Sequence, residues 1–136
     1  MAAPSPTRDD APWHAHIYFA GGDRAAAEAL RRAFERLTAR EASPRILFVG
    51  ALRDGKVGPH PQSQYEVHFR GAALGAVLEM IERSGLRALV HPLTDDDLAD
   101  HTTLARWIGS PLDLDLTTLD PPGLNQGVAR FGKSDV

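Results

Sequence analysis

The sequence predicts an α+β domain: a four-stranded antiparallel sheet with both helices on one face. Three observations point there. Runs rich in aromatic and β-branched residues alternate with runs of helical periodicity, in the order strand–helix–strand–strand–helix–strand. Gly21-Gly22, Pro44, Gly-Pro-His-Pro at 58–61, Gly85 and Pro92 punctuate those runs. The strand candidates also alternate in polarity, each with one apolar and one polar face.

Taken in order, Trp13 to Ala20 (WHAHIYFA) reads as the first strand. Gly21-Gly22 ends it, and Asp23 is positioned to cap a helix. From Arg24 to about Arg40, Ala26, Ala27, Leu30, Ala33, Phe34 and Leu37 recur at helical spacing. Arg45 to Leu52 (RILFVGAL) reads as a second strand, followed by a turn-rich stretch from Arg53 to Pro61. Gln62 to Phe69 alternates as a third strand. Gly71 to Arg83 places Leu74, Val77, Leu78 and Ile81 on one helical face, stopped by Gly85. Leu86 to His91 is a short fourth strand. This order is that of the ferredoxin-like split βαβ unit. Beyond it, residues 94–109 suggest a short helical segment whose Leu104, Trp107 and Ile108 pack as core, and Leu112 to Leu116 an edge strand. Residues 1–12 are expected to be a disordered arm, 13–119 the domain, and 120–136 a C-terminal tail.

With 136 residues, 43% hydrophobic and 24% charged, the chain suits one globular domain. A net charge of −3 without a basic cluster argues against nucleic acid as a partner. No apolar run approaches the roughly 18 residues a membrane span needs, and Met1 to Pro12 lacks the apolar stretch of a signal peptide. The expected location is the cytoplasm. There is no cysteine, which excludes thiolate catalysis and cysteine-ligated metal. Any metal must be held by nitrogen and oxygen.

Parity along the strands locates the six histidines. If Ala15, Ile17 and Phe19 face the helices, His14, His16 and Tyr18 face the other side. Likewise Tyr65, Val67 and Phe69 are core residues, leaving Gln64, Glu66 and His68 on the open side. Ala88 and Val90 put His91 there. With the first strand between the third and fourth, His14 lies near His91 and His68, and His16 near Glu66. Neutral imidazole suits iron, zinc, copper and nickel, and two histidines beside a carboxylate is an arrangement of non-haem iron sites. Three histidines alone suit zinc equally. A solvated histidine pair is the plain alternative.

His60, between two prolines, is presented by a stiff loop, as a ligand or an acid–base group requires, although an exposed turn has the same pattern. His101 is expected in a short helix, capping and packing near Trp107, or else closing over the site. Asp95-Asp96-Asp97 follows Thr94 at a helix start and is read as capping rather than as a metal cluster.

Together WHAHIYF (13–19), VGPHP (57–61), YEVHF (65–69), LVHPLTDDDLADHT (89–102) and ARWIGSPLDLD (105–115) resemble the DOPA 4,5-dioxygenase family, over Trp13 to about Leu119. Three positions depart from its pattern: Asp95 stands where bacterial members have Gly, His68 where a small residue is common, and the tail after Asp120 lies outside it. The resemblance implies a ferredoxin-like fold, often a homodimer whose two open faces form an α+β barrel. It also implies extradiol cleavage of a catechol such as DOPA by non-haem Fe(II) and O₂, with zinc or nickel able to take the site during purification. The family's histidine motifs map onto His14, His16, His60, His91 and His101. The expected metal ligands are then His14, His16, His91 and Glu66. His60 is the expected proton-transfer residue, with His101 second, and Tyr18 a hydrogen-bonding residue on the metal face. Two other classes compete: a zinc-dependent lyase or hydrolase, and a non-enzymatic dimeric small-molecule-binding module.

Overall fold

A computed structural model describes residues 8–40 and 46–132. The fold is α+β, and its centre is β1 (Pro12–Tyr18), every residue of which is buried. On one side β1 pairs antiparallel with β3 (Gln64–Arg70), and on the other with β4 (Ala88–Pro92). β2 (Ile46–Val49) flanks β3, and a short β5 (Arg106–Ile108) flanks β4, giving the order β2-β3-β1-β4-β5. The helices α1 (Arg24–Arg40) and α2 (Leu74–Ser84) follow β1 and β3. Gly85, at φ 75°, closes α2 in the left-handed conformation that glycine adopts without strain.

The apolar core forms between the helices and one sheet face. Ala15, Ile17, Tyr65, Val67, Phe69, Ala88 and Val90 pack with Ala27, Leu30 and Phe34 of α1 and Val77 and Ile81 of α2. The side chains that alternate with the strand members of this set point to the opposite face.

That opposite face is covered by the chain's own loops. The 50–63 loop is tied down by paired bonds between Arg53 and Gln64, by the Val57–His60 bridge, and by Asp115 N–H donating to Pro59 O at 2.9 Å. The C-terminal segment crosses it through α3 (Asp97–His101) and α4 (Gln126–Ala129). Asp120 N–H donates to Asp97 Oδ2 at 2.9 Å, and Asn125 Nδ2 donates to Thr94 O at 2.8 Å and Asp100 Oδ2 at 2.9 Å.

Three expected elements differ. The helical segment 94–109 is only α3, because Thr102 leaves the helical region (φ −126°, ψ −86°). The edge strand is Arg106–Ile108 rather than Leu112–Leu116, pairing Leu89 with Trp107, where Trp and Ile suit a strand better than a helix end. Leu104 is therefore exposed, Ile108 packs at the core's edge, and Trp107 stacks on Tyr18 at 6.1 Å. Lastly, residues 1–7 of the expected arm lie outside the described residues, but Ala11 and Pro12 belong to the fold. Their carbonyls accept Gly71 N–H at 2.8 Å and Leu93 N–H at 3.0 Å.

Candidate metal centre

The register brings the histidines together. His14 lies opposite His68 on one side and His91 on the other, and His16 lies opposite Glu66 and Leu89. Two further histidines arrive from outside the sheet. His60 is carried by the Pro59–Pro61 loop, and His101 ends α3. All six histidines of the chain are buried in one cluster. Ring centroids are 3.9 Å apart for His14–His68, 4.1 Å for His16–His60 and 4.2 Å for His91–His101. His101 thus closes over the site and does not pack against Trp107, which contacts Tyr18 instead.

Hydrogen bonds fix where the ring protons sit. His16 Nδ1 is 3.1 Å from Gln64 Oε1, and His91 Nδ1 is 2.8 Å from Pro92 O. The Pro92 carbonyl only accepts, as does Gln64 through the oxygen it turns toward His16, so with this amide orientation each Nδ1 carries the proton and each Nε2 presents a lone pair. Those two Nε2 atoms face each other at 3.1 Å. Two lone pairs at that distance repel unless something positive lies between them. His14 Nε2 is buried and has no hydrogen-bond partner among the described residues. Buried polar atoms are rarely left so, and a metal ion removes the conflict at all three. Ring nitrogens of His14, His16 and His91 lie within 4.8 Å of one another, so this trio can hold a metal ion. The acceptors behind His16 and His91 are the outer partners that metal-bound histidines need.

Electrostatics point the same way. Burial, reinforced by neighbouring histidines, holds the pKa values of His14, His16 and His91 well below the ordinary 6.5. Burial also lowers that of His60 to about 3, with His101 and His91 adding to the effect. These rings are neutral at pH 7, the form that binds metal.

The other predicted residues are placed around the trio. The Glu66 carboxylate groups with His14 and His68, and an oxygen lies 3.3 Å from His68 Nε2. Tyr18 Oη is 2.7 Å from His60 Nδ1, and burial raises the phenol's pKa so that it keeps its proton. His101 Nδ1 donates to Asp97 O at 2.8 Å. Asp96 caps α3 by accepting Ala99 N–H at 3.0 Å, as expected, while Asp97 braces His101 and the C-terminal segment. A pocket of about 620 Å³ opens onto His14, His16, His60, His91 and His101.

The model of the Dopa 4,5-dioxygenase family matches residues 13–118. The chain belongs to that family. It is 36% identical to the DOPA 4,5-dioxygenase of Amanita muscaria over 112 residues, covering 79% of this chain and 49% of that one. It is 34% identical to an uncharacterized 21.2 kDa protein of Botryotinia fuckeliana over 112 residues, covering 75% of this chain and 60% of the other. The chain thus spans about half to three-fifths of the length of these relatives. A crystal structure of a proposed dioxygenase from Nostoc punctiforme matches with a TM-score of 0.66 and 34% identity, over 81% of this chain and 91% of that one.

The C-terminal segment beyond Thr118, outside the Dopa 4,5-dioxygenase family match, also builds the site. Phe131 stacks over His14 at 6.4 Å and His68 at 5.8 Å, and Gly132 N–H donates to His68 Nδ1 at 3.0 Å. The sequence reasoning missed this packing, and it missed Gln64 as the group orienting His16. Parity had already put Gln64 on the histidine face, one strand from His16, so that signal was present. Nothing periodic marks Phe131.

Among the described residues, no helix is long and apolar enough to cross a membrane.

Proposed function

We propose that this domain is a non-haem Fe(II)-dependent extradiol dioxygenase acting on a catechol such as DOPA or a related dihydroxyphenyl compound. Membership of the Dopa 4,5-dioxygenase family supports the reaction class. The observation that carries the metal is the pair of imidazole lone pairs facing each other at 3.1 Å beside the partnerless Nε2 of His14. In this reading His14, His16 and His91 hold the ion, and the Glu66 carboxylate is the oxygen donor on the His14 side. Bound Fe(II) would supply the redox chemistry, holding the catechol oxygens and O₂ together and passing electron density between them.

The protein's own groups do the rest. His60 is neutral at pH 7, so it can accept the second catechol proton and return it later. With Nδ1–H donated to the Tyr18 oxygen, its Nε2 is the base, and Tyr18 holds the ring in place. His101, stacked on His91 and braced by Asp97, is the second proton-transfer group. The covering loops and the C-terminal segment supply the walls of the pocket in front of the histidines.

Anaerobic loading with Fe(II), followed by 3,4-dihydroxyphenylalanine and air, tests this reading. A yellow semialdehyde chromophore that needs Fe(II) and is absent in His16→Ala is expected. His60→Ala should keep its iron and lose about 10²–10⁴-fold in turnover. Bound iron with no colour across a catechol panel would reject the assignment. The three-histidine donor set also suits zinc. Conversion of a substrate by the Zn(II)-loaded protein without O₂ uptake would favour a lyase or hydrolase.

A further inference from the structure

The pocket that holds the histidines contains one cation placed unlike the others. Arg53 is half-buried and lines the pocket, and its guanidinium makes no hydrogen bond or ion pair with any described residue. Its backbone position is fixed on both sides: Arg53 N–H donates to Gln64 O at 2.9 Å, and Gln64 N–H donates to Arg53 O at 3.1 Å. Residues that exchange both bonds across an antiparallel bridge lie directly opposite, with side chains on the same face. The Gln64 side chain is on the histidine face, bonded to His16. Arg53 therefore stands beside Gln64 at the edge of the metal trio, away from the helices.

The remaining charges of the pocket have partners. Glu66 lies against His68, Asp97 against His101, and Asp120 accepts from Gln126 N–H and Nε2. Arg130 is exposed and lies in the field of Asp97. Next door to Arg53, Asp54 is taken by Arg24 at 2.9 Å. Arg53 thus lies along the pocket wall with its fork of donors free of any described protein partner and available to an anion entering the pocket. A planar fork of donors matches the paired oxygens of a carboxylate, as it does those of a phosphate.

We propose that Arg53 is a specificity-determining residue that binds the carboxylate of the substrate's side chain, so that the pocket selects catechols bearing an acidic substituent over neutral ones. This rests on the catechol assignment above for the ring, but not for the anion. The catechol oxygens would point to the histidine trio and the acidic arm to the 50–63 loop. Gln64 connects the two ends, since its side chain orients His16 while its backbone fixes Arg53.

Calorimetric titration of the full chain, with and without Zn(II), tests this apart from turnover. The probes are 3,4-dihydroxyphenylacetate, 4-hydroxyphenylacetate and 4-methylcatechol. Arg53→Ala is expected to weaken both acids about 10-fold or more and to leave 4-methylcatechol within about 2-fold. Arg130→Ala should leave all three within about 2-fold, and Arg53→Lys should recover part of the acid binding. Equal binding of the acids by wild type and Arg53→Ala would overturn the proposal, as would a parallel loss of 4-methylcatechol. If the Fe(II) protein cleaves no catechol while acid binding still depends on Arg53, the anion site stands and the dioxygenase reading falls. In an active enzyme the same substitution should raise KM for the acids and leave kcat nearly unchanged.

Discussion

On one face of the sheet Ile17, Val67 and Val90 are buried against two helices; on the other His14, His68 and His91 are buried just as deeply against loops. The first face gains by leaving water, and its aliphatic residues need no partners, although Trp13 Nε1 and Tyr65 Oη on that side are also buried without a hydrogen-bond partner among the described residues. The second desolvates imidazoles, depresses their pKa values and leaves lone pairs in opposition. Equal burial therefore means different things on the two sides. The helix face stabilises the fold, while the loop face gathers neutral imidazoles that could hold a metal ion.

Paired truncations give the sharpest way to break that comparison. Phe34→Ala, in the apolar core, should cost about 3–5 kcal/mol by denaturant unfolding and leave metal affinity per folded molecule unchanged. His14→Ala in the metal-free protein should cost less than about 2 kcal/mol, because the ring it removes carries a buried nitrogen without a partner. Equal costs would make the histidine face an ordinary core.

Acid sharpens the comparison with a smaller effect. His60 faces His16 and Tyr18 of β1, His91 of β4 and His101 of α3. Its pKa is about 3 when folded, against about 6.5 in the unfolded chain. Between those values the unfolded state binds more protons, so stability falls as pH drops below about 6.5. At pH 4.5 this one group should remove roughly 2.5 kcal/mol from the metal-free protein, and His60→Gln should lose correspondingly less between pH 7 and 4.5. Identical pH slopes for the two proteins would contradict the burial argument.

Much of this was legible in the sequence, for physical reasons. Strand parity is strict, so WHAHIYF and YEVHF sorted their residues onto faces, and the pairings His14–His68, His14–His91 and His16–Glu66 followed from strand order. Helix α1 was legible end to end because its apolar stripe is long. His60 could be flagged but not placed, since a Pro-His-Pro loop has no period to extrapolate. His101 was sent towards Trp107 because Leu104, Trp107 and Ile108 imitate helical spacing, whereas strand pairing with β4 claims Arg106–Ile108. Phe131 and Arg53 reach the site through long-range contacts that no local pattern encodes.

The central claim is that three neutral imidazoles on the loop face share one metal ion, and Co(II) titration followed by visible absorption tests it most directly. Wild type should bind one equivalent with ligand-field bands of a nitrogen-rich site, and His14→Ala, His16→Ala and His91→Ala should each weaken binding by about 100-fold or more while remaining folded. Undiminished Co(II) binding in those three folded variants would contradict the account.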